Sequence, residues 1–269
     1  QQVSSAASDV YKRQVLSNAG TTTFTTGTGT GGNITVAATI DGTDSENEAL
    51  VIESGSGNVQ LQGAIGATNP LTTITINSSG AGTVEVTNIG GGSAGATGAV
   101  NIGNSATTTL TLDGTVYNTG DTQTYTAATG GGNIDITGAA TFTTSADNIA
   151  FNTSGVDLVA SVAITTGTGT NAGNISFGGA IEAGNAGTQT LTIDSGSGSV
   201  TFTGAIGLTN ALGGLNVNAT AGDGAGVITF SEDIGDASAG VKGVTAVGNS
   251  STAQIVFAED TYTFDTGAT

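Results

Sequence analysis

Short apolar triplets recur in this chain at a nearly constant interval, and that interval restricts the fold more than any single residue does. Taking the middle residue of each apolar-x-apolar unit, one series runs Thr35, Gln60, Glu85, Thr111, Asp135 and a second runs Thr75, Asn101, Tyr125, Ala150, both advancing by 24 to 26 residues. The units, such as Ile34-Thr35-Val36, Val84-Glu85-Val86 and Leu110-Thr111-Leu112, sit between Gly, Asn, Ser and Thr. Period-two alternation bounded by turn formers is the pattern of a short, half-buried strand. No stretch sustains the i, i+3, i+4, i+7 spacing of an amphipathic helix. Hairpin loops in an antiparallel sandwich vary independently and impose no common period. Coils stacked at the strand spacing do impose one, because every coil must bring its strands back over the last. The expected fold is therefore all-β: a parallel β-solenoid with about 25 residues and at least two strands per coil. Residues 21–269 then hold roughly ten coils.

A longer self-similarity overlies the short one. The stretch from Glu53 through Ser54-Gly55-Ser56-Gly57 to Gly63-Ala64-Ile65-Gly66 returns from Asp194 through Ser195-Gly196-Ser197-Gly198 to Gly204-Ala205-Ile206-Gly207, 141 residues later. The duplicated blocks span residues 25–90 and 165–235. Divided by the coil length, the offset is somewhat under six coils, and variable corners are expected to absorb the remainder.

Composition supports a solenoid and removes several function classes. Gly is 46 of 269 residues and Pro is one, as tight corners within a continuous ladder require. Collagen would need Gly at every third position with abundant Pro. The formal net charge is −18, and Lys12, Arg13 and Lys242 are all the basic residues. Such a chain cannot neutralise phosphates, so nucleic acid is excluded as a partner. No apolar run is long enough to span a bilayer as a helix, so no direct membrane insertion is expected. Without Cys there is no disulfide framework. Residues 1–14 differ in style and carry two of the three basic residues. They are similar to translated adapter sequence and are set aside as a non-native leader, with residues 15–20 as a lead-in to one continuous solenoid over 21–269. The chain lacks a starting Met and shows no polar cap, so the rod is expected to continue beyond both ends in the same polypeptide.

Chemistry-bearing patterns are sparse. Gly27-Thr28-Gly29-Thr30-Gly31-Gly32 fits a dinucleotide fingerprint formally, but a strand follows it where a helix is needed, so no cofactor is expected. Asp41, Asp44, Glu46 and Glu48 fall within eight residues and form the candidate Ca²⁺ site, since carboxylates and loop carbonyls supply the oxygens Ca²⁺ wants. The competing reading is a solvated acidic loop between coils. With no His or Cys the usual nucleophile and base pairs are missing, and no enzyme activity is expected. Paired-carboxylate glycoside hydrolysis is the enzymatic alternative. Its obstacle is that Glu53 and Asp194 occupy equivalent repeat positions, which suits a scaffold better than a unique site. Ice binding would need the same small polar residue on each coil, and only Ser176, Thr201 and Thr229 approach that.

The phrases Thr26-Gly27-Thr28-Gly29-Thr30-Gly31-Gly32-Asn33-Ile34, Ser54-Gly55-Ser56-Gly57-Asn58-Val59, Gly63-Ala64-Ile65-Gly66 and Thr119-Gly120-Asp121-Thr122-Gln123-Thr124-Tyr125 resemble repeats of large bacterial surface exoproteins, of the filamentous haemagglutinin or autotransporter adhesin kind. The resemblance covers residues 21–269 and implies a right-handed parallel β-helix that is secreted or displayed on the bacterial surface. It also implies a non-catalytic stalk segment in cell-surface or biofilm attachment. Host or environmental glycans or proteins would then be bound through regions outside these residues. The alternatives are a glycan-binding or glycan-processing β-helix, an ice-binding protein, or a Ca²⁺-dependent surface-layer protein.

Overall fold

The structure is a computed structural model. It describes residues 2–3, 8–11, 14–17, 19–27, 29–43, 47–167, 171–219, 226–236, 238 and 240–265, with backbone alone before residue 15. Every described element is a β-strand and every pairing is parallel. The chain winds as a β-solenoid of about nine turns with roughly 25 residues per turn.

Each turn visits three faces, one more than the two triplet series require. Face 1 is an 11-stranded sheet and includes Gly20–Thr25, Glu48–Glu53, Ile74–Ile76 and every later rung to Gln254–Phe257. Face 2 is an 8-stranded sheet that includes Asn33–Val36, Val59–Leu61 and Thr83–Val86 and ends at Ala180–Ala183. Face 3 begins as a two-stranded pairing that includes Ile40–Gly42 and becomes a 6-stranded sheet from Val116–Asn118 onward. In the gap it is carried by single bridges, Ile40 to Ile65 to Ile89 to Tyr117. The strands Gln2–Val3, Ser8–Tyr11 and Gln14–Leu16 pair with the next rung of faces 1, 2 and 3 in turn.

Because the register is constant, inward residues stack into columns. On face 1 the central column reads Phe24, Ile52, Ile76, Ile102, Tyr125, Phe151, Phe177, Phe202, Phe230, Phe257. From Tyr125 to Phe257 the rings lie nearly parallel, with centroids 4.9–5.5 Å apart. That separation is close to the rung spacing itself, so the ladder sets the stacking geometry.

Tyr125 departs from the sequence expectation. Its triplet, Thr124-Tyr125-Thr126, places it outward by alternation, but Tyr125 is buried and Thr124 faces out. The pattern misleads because the second inward position is held by a polar residue, Gln123. That side chain is buried, and its Oε1 accepts the Tyr125 hydroxyl at 2.9 Å. Its Nε2 lies within hydrogen-bond distance of the carbonyls of Tyr117 and Thr143. Burial raises the Tyr125 hydroxyl well above its ordinary pKa, with the Tyr117 hydroxyl adding to the shift, so Tyr125 stays a neutral donor.

The duplication does not correspond to a whole number of turns. Ile34 lies on face 2, and its counterpart Ile175 lies on face 1, one face short of six turns. Val59 and Val200 are likewise on faces 2 and 1, whereas Ile76 and Val217 are on faces 1 and 3. The remainder is a third of a turn and is not absorbed by the corners: the second block is rotated by one face. The local structure nevertheless repeats. Thr26 and Thr166 each donate to a carbonyl at 2.6 Å, that of Gly32 and of Gly173. Ser54 and Ser195 bond the Gly57 and Gly198 carbonyls at 2.6 and 2.7 Å. Asn77 and Asn218 both turn their corners at positive φ, 51° and 46°, a conformation Asn tolerates better than most residues. Even the thinning of a face repeats, because Ile206 and Ile234 carry face 2 as single bridges just as Ile65 and Ile89 carry face 3. The faces are interchangeable as packing environments, so a block of sequence folds alike on any of them.

Candidate functional site: the outward faces

The acidic stretch at residues 41–48 is drawn largely into the fold. Asp41 is buried, and its Oδ1 accepts the backbone amide of Thr68 at 2.9 Å. The second copy repeats this with Glu182, whose carboxylate accepts the amides of Thr209 and Asn210. Asp41 therefore pins the loop of the next coil. Glu48 opens a face 1 strand, points inward and is buried, with Oε1 accepting the Thr43 hydroxyl at 2.8 Å. Asp44 and Glu46 lie outside the described residues. Among the described residues no group of three or more acidic side chains is arranged to hold a metal ion.

Glu48 carries a polar mismatch that its repeat counterpart lacks. Its Oε2 is buried without a hydrogen-bond partner. Gln189 occupies the corresponding position, where Nε2 donates to the Val159 carbonyl at 3.1 Å and Oε1 accepts from Asn185 and Thr188. A buried acceptor left unpaired costs about 1–3 kcal/mol. Glu48→Gln is therefore expected to raise the melting midpoint by about 2–4 °C. A lower midpoint would refute this assignment. Melting both proteins in Ca²⁺ also tests the calcium reading. A rise with Ca²⁺ in the parent that the variant lacks would make Glu48 a ligand.

Faces 1 and 2 differ in outward chemistry. The central row of face 1 reads Thr23, Val51, Thr75, Asn101, Thr124, Ala150, Ser176, Thr201, Thr229, Val256, with no charge. Side chains in this row are short, but they vary from coil to coil. The central row of face 2 reads Thr35, Gln60, Glu85, Thr111, Asp135, Asp157, Glu182. Here Asn133 Nδ2 donates to both Asp135 and Asp157, on neighbouring coils, at 2.5 and 2.8 Å. Burial holds the Asp135 carboxyl above the usual carboxylate range, Asn133 opposes the shift and the Asp157 charge adds to it. Its folded-state pKa thus lies above its unfolded one, so this group's contribution favours the fold at low pH and is lost as pH rises through the folded pKa. Glu53 and Asp194, equivalent in sequence, end strands on faces 1 and 3 and never share a surface.

Face 2 also holds a depression of about 210 Å³ across three consecutive coils, lined by Asn33, Thr35, Asn58, Val59, Gln60, Thr83 and Glu85. Its corner is fixed by an asparagine ladder. Asn33 Oδ1 accepts the Asn58 amide at 2.9 Å, and Asn58 Oδ1 accepts the Thr83 amide at 3.0 Å. Across the floor Gln60 Nε2 donates to Glu85 Oε2 at 3.0 Å. Sequence reasoning passed over these residues because they lie 25 residues apart and meet only through the ladder. The available signal was the Gln60 and Glu85 at the centres of successive triplets, with Asn33 and Asn58 each just before a triplet.

No family model, curated protein or solved structure matches this chain.

Proposed function

We propose that this chain is a non-catalytic stalk segment of a secreted bacterial surface adhesin, serving cell-surface or biofilm attachment. The observation that carries the reading is the rotated duplication. Between the two blocks, the triplets keep apolar inward residues and the corner hydrogen bonds keep nearly the same length, while the central outward residues of the triplets change and move to another face. What is repeated is packing that adds rungs, and the carboxylate that both blocks keep, Asp41 and Glu182, is spent on the loop amides of the next coil. Adding such blocks lengthens a rod in any phase, which suits a spacer whose output is reach.

The test inserts the chain between the surface anchor and the binding domain of an unrelated adhesin. Nine rungs at the strand spacing should add about 43 Å of reach and leave attachment by the host binding domain intact. Loss of attachment, or product release from a polysaccharide panel by the purified chain, would overturn the reading.

A further inference from the structure

We infer that the depression on face 2 is a carbohydrate site that takes one uncharged pyranose unit of a glycan. This goes beyond the stalk reading and does not depend on it. The polar lining consists of three side-chain amides, from Asn33, Asn58 and Gln60, two hydroxyls, from Thr35 and Thr83, and the Glu85 carboxylate, with Val59 completing the wall. The ladder uses the Oδ1 atoms of Asn33 and Asn58, so their Nδ2 donors are left for a ligand. Gln60 engages Glu85 Oε2 and leaves Oε1 of Glu85 as an acceptor. Among the described residues these atoms have no protein partner. Oriented amide donors beside a carboxylate acceptor complement a sugar, whose adjacent hydroxyls donate and accept at once. Anionic ligands are disfavoured by Glu85 and by the net charge of −18. A volume of about 210 Å³ admits a single ring.

The duplication supplies an internal control. In the second copy the positions of Asn33, Thr35, Asn58, Gln60 and Glu85 are held by Asn174, Ser176, Ser199, Thr201 and Thr229, now on face 1. The structural hydrogen bond survives there, from the Ser199 amide to Asn174 Oδ1 at 2.8 Å. The long side chains that wall the depression do not. Gln60 and Glu85 are therefore dispensable for the ladder, and threonine is a folded substitute for each at the corresponding rung of the second copy.

Among the described residues no aromatic ring lines the site to stack on a sugar face, so binding should be weak, with Kd on the order of 1 mM. The experiment is an NMR titration of the ¹⁵N-labelled chain with the methyl glycosides of glucose, galactose, mannose and N-acetylglucosamine. For at least one sugar, saturable shifts are expected in the side-chain amides of Asn33, Asn58 and Gln60. The double variant Gln60→Thr, Glu85→Thr should weaken binding at least tenfold while leaving the Phe177 and Phe202 resonances in place. Absence of saturable shifts with all four sugars, or shifts that persist in the double variant, would overturn the proposal. So would equal shifts with CaCl₂ alone, which would reassign the site to a cation.

Discussion

Replacing Phe202 by alanine is expected to destabilise the rod by about 3–5 kcal/mol. Phe202 is buried and stacks on Phe177 at 5.5 Å and on Phe230 at 4.9 Å, so truncation interrupts the aromatic column and leaves a void bounded by two rings. The column is continuous, so neighbouring rungs cannot close the void without breaking register. The effect should be local in a stacked architecture: amide hydrogen exchange should accelerate most in Val200–Phe202 and in the rungs on either side. Phe202→Leu is the informative companion. Leu61 holds the corresponding position of the first block, where it is fully buried, so leucine should cost less than half as much. Equal losses for the two variants would show that ring stacking dominates over filled volume.

Gly114→Ala should be comparably damaging for a different reason. A Cβ at Gly114 would lie 1.1 Å from the Thr87 carbonyl oxygen and 2.5 Å from Asn88 Oδ1, both on the preceding coil. Those atoms belong to a packed corner in which Asn88 Oδ1 already accepts the amides of Thr115 and Val116. The methyl group cannot be accommodated unless two coils separate, at about 3 kcal/mol or more. Gly130→Ala is the control, because nothing lies within 4 Å of its Cβ position. Urea denaturation of the pair should show a clear midpoint drop for Gly114→Ala and almost none for Gly130→Ala. Coincident midpoints would mean that the corner yields more easily than its contacts imply.

The sequence exposed the strands wherever inward residues are apolar, as at Val84 and Val86 or Leu110 and Leu112. It failed at Gln123, where a buried amide paired with the Tyr125 hydroxyl replaces an aliphatic residue and shifts the apparent alternation by one. The candidate site was less legible for the same kind of reason. Asp41, Asp44, Glu46 and Glu48 are close in sequence, so they drew attention as a cluster. Yet Asp41 serves a loop amide of the next coil and Glu48 turns into the core. The depression on face 2 is assembled from residues one coil apart, and sequence proximity carries no trace of it.

By itself the sequence determined the period, the strand alternation, the Gly and Asn corners and hence a parallel stack of coils. These depend on local chemistry: which side chains leave water, and which residues tolerate tight turns. Only the tertiary structure decided that each coil has three faces and which of them a given triplet occupies. That assignment depends on the summed lengths of all preceding corners, a non-local quantity in which a few residues move a triplet to another face. For this reason two similar blocks lie a third of a turn out of phase, each with its inward column intact and its outward residues on a different face.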